Sequence, residues 1–414
     1  MKVAKILTKT VFFILLVFNI AVFGSVIYLD NNIADDFKIK KGATLELNSK
    51  LPVTAIYNGS ELSSEQTNVT HGQFDVNLKM FGVIPFAKAS VQVVDEMYVA
   101  VLGNPFGMKL YTKGALVIDM ADVETENGKQ NPAKAAGIEK GDYILSVDGK
   151  KITCNEDLIE LVENCVGKKL KVEVLKNNRK KVVSLCPVIS KESGTYKIGL
   201  WVRDSSAGIG TLTFYSPTNN VICGLGHGVC DEDTGKILTL DSGEILSASI
   251  FAVEKGKSGA PGQLKGNITN ETLGKIKLNC TGGVYSVLTG EISSYQLTEI
   301  ALKEEVRNGK AQILCTIDGE QPKLFSCKVS VKKSNFGAKT QNMIVTVTDP
   351  ELLEKTGGIV QGLSGSPLLQ NGKLIGAVTH VLVDDPTKGY AIFAENMLET
   401  AQSVAEEQQL KDAS

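Results

Sequence analysis

Two hydroxyl-bearing turns and three histidines carry most of the chemistry open to this sequence. The first turn, Gly362-Leu363-Ser364-Gly365-Ser366-Pro367, runs into Leu368-Leu369-Gln370-Asn371-Gly372-Lys373-Leu374-Ile375, which reads as strand, Asn-Gly hairpin and strand. Its glycines let the backbone bend until the amides of Gly362 and Ser364 face one spot, as the oxyanion of a tetrahedral intermediate requires. The second turn, Gly256-Lys257-Ser258-Gly259-Ala260-Pro261, repeats the spacing but continues into Gly262-Gln263-Leu264-Lys265-Gly266, which supplies no strong strand. It reads as a surface loop.

A serine hydroxyl is not ionised at neutral pH, so Ser364 needs a base. His71 falls in a polar amino-terminal loop, and His380 follows the second hairpin strand and reads as structural. His227 lies in Cys223-Gly224-Leu225-Gly226-His227-Gly228-Val229, where small neighbours leave the imidazole accessible, 137 residues before Ser364. It is the expected base. A third group should hold the far ring nitrogen in the right tautomer. Asp349 ends the alternating stretch Val345-Thr346-Val347-Thr348, 15 residues before Ser364, but Asp349-Pro350 also reads as a turn start. Asp231 and Asp233 compete for the role, and a backbone carbonyl could fill it instead.

These groups need a rigid frame. The chain has 414 residues, 40 of them glycine, and short runs of Val, Ile, Leu and Thr point to a mostly β protein of two or three folding units. Lys plus Arg number 44 against 46 Asp plus Glu, which excludes the basic footprint of a nucleic-acid binder. Eight cysteines without a C-x-x-C pair, and only three histidines, give no metal-site spacing, so neither a metal nor a cofactor is expected. Lys2, Lys5 and Lys9 precede an apolar run from Val11 to Leu29. Its 19 residues span roughly 28 Å as a helix, close to a bilayer core. Flanking charges place the remainder outside the cytoplasm, whether the run is an anchor or a cleaved signal.

The expected divisions are a membrane segment (1–30), an irregular β-rich segment (31–93), a third unit (94–192) and a carboxy-terminal unit (193–414) of the size of a two-barrel hydrolase. In the third unit, Ala136-Gly137-Ile138-Glu139-Lys140-Gly141-Asp142-Tyr143-Ile144-Leu145-Ser146-Val147-Asp148-Gly149 is followed by a helical stripe of Leu158, Ile159, Leu161, Val162 and Cys165. A hairpin turned at Asn177-Asn178 completes it. This stretch resembles a PDZ domain. The resemblance implies that Gly103–Leu110 forms a loop holding a peptide carboxylate, with Gly107, Met108, Lys109 and Leu110 as binding residues.

The Ser364 string resembles the nucleophile region of chymotrypsin-like serine peptidases, although Leu363 replaces that family's acidic residue. Trp201-Val202-Arg203-Asp204, Ala207-Gly208-Ile209-Gly210-Thr211-Leu212-Thr213-Phe214, Gly226-His227-Gly228 and Thr356-Gly357-Gly358-Ile359-Val360-Gln361 are similar to the SpoIVB peptidases of endospore-forming bacteria. That resemblance implies a chymotrypsin-like double β-barrel behind the PDZ domain, with Asp349 as the triad acid. It implies export into the space between forespore and mother cell, with cleavage of a membrane-bound regulator of an intramembrane metalloprotease and release of a late sigma factor. It also implies self-processing near the amino terminus, whose own segment is then a PDZ ligand or substrate. The competing expectations are a PDZ adaptor on an inactive peptidase scaffold, and an HtrA-type protease, whose PDZ follows the peptidase instead.

Overall fold

The computed structural model describes residues 2–412 except 32, 46, 48, 70, 71, 291, 293, 294 and 333–336. His71 therefore lies outside the described residues. Helix α1 (Lys2–Asp30) carries the apolar run, and its Ile6–Asp30 portion is long and apolar enough to cross a membrane.

Beyond it, the alternation in Phe74–Met80 turns Val76, Leu78 and Met80 into the core of a five-stranded sheet. The edge strand of that sheet, Asp36–Lys40, is tied to the far end of the chain. Lys38 reaches Glu395 at 2.9 Å and Lys40 reaches Glu305 at 2.6 Å.

The remaining strands build two barrels and a PDZ domain. In the first barrel, β1 (Pro105–Met120), β2 (Leu200–Ser216), β3 (Leu240–Glu254) and β4 (Gln263–Cys280) join Val221–Gly224 and Gly283–Leu288. Pairing of β1 with both β2 and β3 closes these six strands into a ring. The second barrel is closed by Gly309–Cys315, Lys323–Val331, Met343–Val347, Asp385–Phe393, β5 (Lys373–Leu382) and Pro367–Gln370. Both are filled by side chains. Phe106, Leu212, Ile245 and Val284 pack in the first, and Ile313, Phe325, Val345 and Ile375 in the second. The mostly β, double-barrel expectation holds.

The PDZ core gathers Ala115, Val117, Ile144, Val147, Leu158 and Val172. Helix α2 (Asn155–Glu163) buries Leu158 and Val162 against it, and the hairpin Leu170–Lys176/Arg179–Leu185 turns at Asn177 and Asn178, both at positive φ.

The join between PDZ and first barrel differs from expectation. Pro105–Leu110 is strand, and both of its edges are used. Gly107 pairs with Ile209 and Leu246, Met108 with Gly208 and Ile245, Lys109 with Ala207 and Glu244, and Leu110 with Ser206 and Gly243. Phe106, Met108 and Leu110 point into the barrel and are buried. A Cβ on Gly107 would come within 2.4 Å of the Ile268 side chain, so this glycine makes room for a neighbour. The expected carboxylate-binding loop at Gly107, Met108, Lys109 and Leu110 is therefore corrected. With no free edge and no free amides, these residues cannot add a peptide strand.

Candidate active site

Ser364 stands in the turn between helix α3 (Pro350–Thr356) and strand Pro367–Gln370, with Gly362 and Gly365 both at positive φ. Its Oγ donates to the Thr379 carbonyl at 2.6 Å, and the Gly365 amide donates to Val378 at 2.7 Å. His227 follows the tight Gly224–Gly226 bend on the other barrel. A Cβ on Gly226 would lie 3.1 Å from Thr379 and 3.3 Å from the Val378 carbonyl, so this bend sits against the same stretch of β5. The His227 ring stacks on His380, with ring centres 4.4 Å apart and planes at 34°. Val378–His380 thus meets both the turn that carries the serine and the bend that carries the histidine.

The His227 Nδ1–H donates to the Gly228 carbonyl at 2.9 Å. That tautomer leaves Nε2 as the acceptor, the state a general base needs. Burial pushes the imidazole pKa down to about 4; the Gly228 carbonyl pulls the other way, and His380 adds to the lowering. His380 is lowered as well, again through burial. Both rings are neutral near pH 7. Among the described residues no hydrogen bond joins His227 to Ser364; the hydroxyl rests on Thr379.

Asp349 is elsewhere occupied. One carboxylate oxygen accepts from Glu351 N at 3.0 Å and Leu352 N at 3.3 Å, and the other from Ser326 N at 3.0 Å. It is the N-cap of α3, with Pro350 in the first turn. The Ser326 amide, followed by those of Leu352 and Glu351, holds its carboxyl below the usual range. The expectation that Asp349 orients His227 is therefore corrected in this geometry: its lone pairs serve three backbone amides, and the imidazole N–H is taken by Gly228. Asp231 and Asp233 are also engaged, both with Arg203.

The repeated turn at Gly256–Pro261 caps the β3–β4 hairpin, and Ser258 Oγ donates to the Asp384 carbonyl at 2.9 Å. All eight cysteines are thiols, with Cys165, Cys223, Cys315 and Cys327 buried.

Two features were missed in the sequence. One is His380, whose position after a hairpin strand signalled nothing about its stacking partner. The other is the free edge of β2. Among the described residues, Leu200–Ser206 pair with β1 along one side only, because the pairing with Val221–Gly224 begins at Leu212. Helix α2 touches this part of β2, and Asp204 Oδ2 accepts from Asn155 N at 2.7 Å at the helix start. The strand is entered through Gly199, at φ +78°, where a Cβ would lie 2.7 Å from the Ala121 carbonyl. Trp201, the sole tryptophan, is 62% exposed on this stretch. The signal was the string Ile198-Gly199-Leu200-Trp201, a glycine turn between apolar residues.

Paired barrels that bring a glycine-flanked serine and a correctly tautomerised histidine to one segment define a serine endopeptidase, here preceded by a PDZ domain. Residues 194–398 match the family model for the SpoIVB peptidase S55, and residues 103–185 match that for a PDZ domain. Residues 194–398 are thus a peptidase unit of the SpoIVB S55 type, behind a PDZ domain.

The chain is also similar to the PDZ domain of the SdrC-like protein from Listeria monocytogenes, at 21% identity and TM-score 0.18, covering 22% of this chain and 87% of that one. The active form of the Rv3671c protease from M. tuberculosis is similar at 14% identity and TM-score 0.27, covering 47% of this chain and 72% of that one. The thermostable serine protease AL20 from an extremophilic microorganism is similar at 12% identity and TM-score 0.29, covering 49% of this chain and 92% of that one.

Proposed function

We propose that this chain is a membrane-tethered, exported signalling endopeptidase. It would cleave itself and a membrane-bound regulator of an intramembrane metalloprotease, and so activate a late sigma factor. The observation that carries the catalytic part is the Nδ1–H bond of His227 to Gly228, which leaves Nε2 as the acceptor on a ring stacked against His380, next to the Thr379 carbonyl on which the Ser364 hydroxyl rests.

In the reaction, Ser364 Oγ turns from Thr379 to His227 Nε2 and attacks the scissile carbonyl carbon as its proton passes to the imidazole. The amides of Gly362 and Ser364 receive the oxyanion. The imidazolium, steadied by the Gly228 carbonyl, gives its proton to the leaving amine, and the C–N bond breaks. Water then attacks the acyl-enzyme with His227 again as base.

A fluorophosphonate probe tests this on the full chain in detergent micelles. Ser364 is expected to be the labelled residue. Because a protonated His227 cannot accept, labelling should fall on the acid side with a midpoint near pH 4, set by the lowered imidazole pKa. A folded chain unlabelled at pH 8 would end the reading. Stability moves with the same group. The folded imidazole binds its proton less readily than the unfolded one, so its contribution is complete above about pH 6.5 and is lost as pH falls toward 4.

The PDZ ligand, on this reading, is an extended peptide with a free carboxylate, added to the edge at Leu200–Ser206 beside α2, with its terminus at the Gly199 turn. Trp201 reports on this directly. A hexapeptide ending in Val should shift Trp201 emission, and its carboxamide should bind at least about tenfold more weakly, since the terminal charge is lost. Equal shifts from acid and amide, or none up to millimolar peptide, would remove this site.

A further inference from the structure

The turn that carries Ser364 is fixed by side chains that do not take part in proton transfer. Every carbonyl from Gln361 to Gly365 is held. Gln361 O accepts from Leu264 N of β4 at 2.8 Å. Gly362 O accepts from Thr211 Oγ1 at 2.7 Å, and Leu363 O from Ser366 Oγ at 2.6 Å and Ser366 N at 3.0 Å. Ser364 O accepts from Thr211 N at 2.9 Å, and Gly365 O from Thr213 Oγ1 at 2.7 Å. The three hydroxyl-bearing residues Thr211, Thr213 and Ser366 are buried to within 1% of complete. Buried hydroxyls are costly unless bonded, and these three spend their bonds on this one turn.

In a trans peptide the carbonyl of one residue and the N–H of the next point in opposite directions, and the described chain contains no cis bond. Holding Leu363 O inward therefore turns the Ser364 N–H outward. Holding Gln361 O on β4 does the same for the Gly362 N–H. Among the described residues neither amide donates to a carbonyl or a side chain. Two half-exposed donors kept free, beside a serine hydroxyl, are what an oxyanion site needs before substrate arrives.

We propose that the hydroxyls of Ser366 and Thr211 are positioning groups for the oxyanion hole. Ser366 sets the Leu363–Ser364 peptide plane, and Thr211 locks the adjoining Gly362–Leu363 plane. This rests on Ser364 being the nucleophile. Because neither hydroxyl touches substrate, their loss weakens transition-state binding and leaves ground-state binding alone.

The test uses the full chain in micelles, an internally quenched peptide substrate and a peptide boronate as transition-state analogue. Ser366→Ala and Thr211→Val are each expected to lower kcat roughly 10- to 100-fold, below the loss from deleting a donor outright. KM should stay within about twofold, and boronate affinity should fall by the same factor as kcat. Thr211→Ser, which restores the hydroxyl, should recover most of kcat. A merely structural role predicts a lower melting temperature with wild-type kcat and boronate affinity per folded molecule, and that result in both variants overturns the proposal. Ser364→Ala separates the two claims. If it still cleaves, the nucleophile assignment has failed; if it is inert while Ser366→Ala and Thr211→Val remain fully active, only the positioning role has.

Discussion

Ser364→Ala is expected to abolish cleavage, lowering kcat by about 10⁴- to 10⁶-fold, and His227→Ala to do nearly the same, with the double variant no worse than either. The two side chains act as one unit. Without the hydroxyl there is no atom to be acylated, and without Nε2 there is no acceptor for its proton. Residual turnover comes from the oxyanion donors and substrate positioning alone. Neither change should unfold the protein, because Ser364 Oγ makes one hydrogen bond and His227 lies only partly inside the core. Asp349→Ala makes the contrast. It strips the acceptor from two backbone amides at the start of α3 and from that of Ser326 in the strand Lys323–Val331, and caps of this kind contribute about 1–2 kcal/mol. Its effect should therefore appear in the denaturation midpoint, with activity lost in step with the folded fraction. Self-cleavage on gels, a quenched-peptide assay and urea denaturation read all of these. Ser364→Ala cleaving within tenfold of the parent would defeat the serine mechanism.

The parts legible in the sequence are those fixed by neighbours along the chain. The Asn371-Gly372 hairpin, with both residues at positive φ, and the glycines around Ser364 declare a turn by composition alone. The PDZ string declares its core in the same way. The carboxylate loop was misread because its answer lies far off. Phe106, Met108 and Leu110 alternate as any strand would, but whether Gly107–Leu110 is an edge or an interior strand depends on partners near residues 206–209 and 243–246. No local pattern encodes that register.

Asp349 shows a different limit. Thr-Asp-Pro satisfies both a helix cap and a triad acid, and the short helix Pro350–Thr356 supplies amides at hydrogen-bond distance before any distant imidazole can compete. The orienting group for His227 turned out to be a main-chain carbonyl, which carries no side-chain signature at all. His380 likewise meets His227 only because β5 of the second barrel faces the His227 bend of the first.

Gly365→Ala carries the second large effect. Gly365 sits at φ +96°, and an added Cβ would fall 1.9 Å from the Thr211 carbonyl oxygen and 2.5 Å from the Leu225 amide nitrogen. Both obstacles are backbone, one in β2 and one in the loop leading to His227, so no rotamer change relieves the contact. Something larger must give: the turn moves away from β2, taking the bonds from Thr211 and Thr213 with it, or β2 parts from the His227 bend. Destabilisation of about 3–5 kcal/mol is expected, in the range reserved for strain at special backbone positions and overpacking together. Gly372→Ala is the matched control. Its φ is also positive, at +78°, but nothing lies within 4 Å of the added carbon, so only the conformational cost of about 1 kcal/mol remains. Denaturation midpoints of the two variants measure the difference, and probe labelling of the folded fraction measures the displacement of Ser364. Gly365→Ala matching Gly372→Ala in stability, with Ser364 still labelled at the parent rate, would mean that the two barrels do not clamp this turn as tightly as the 1.9 Å approach requires.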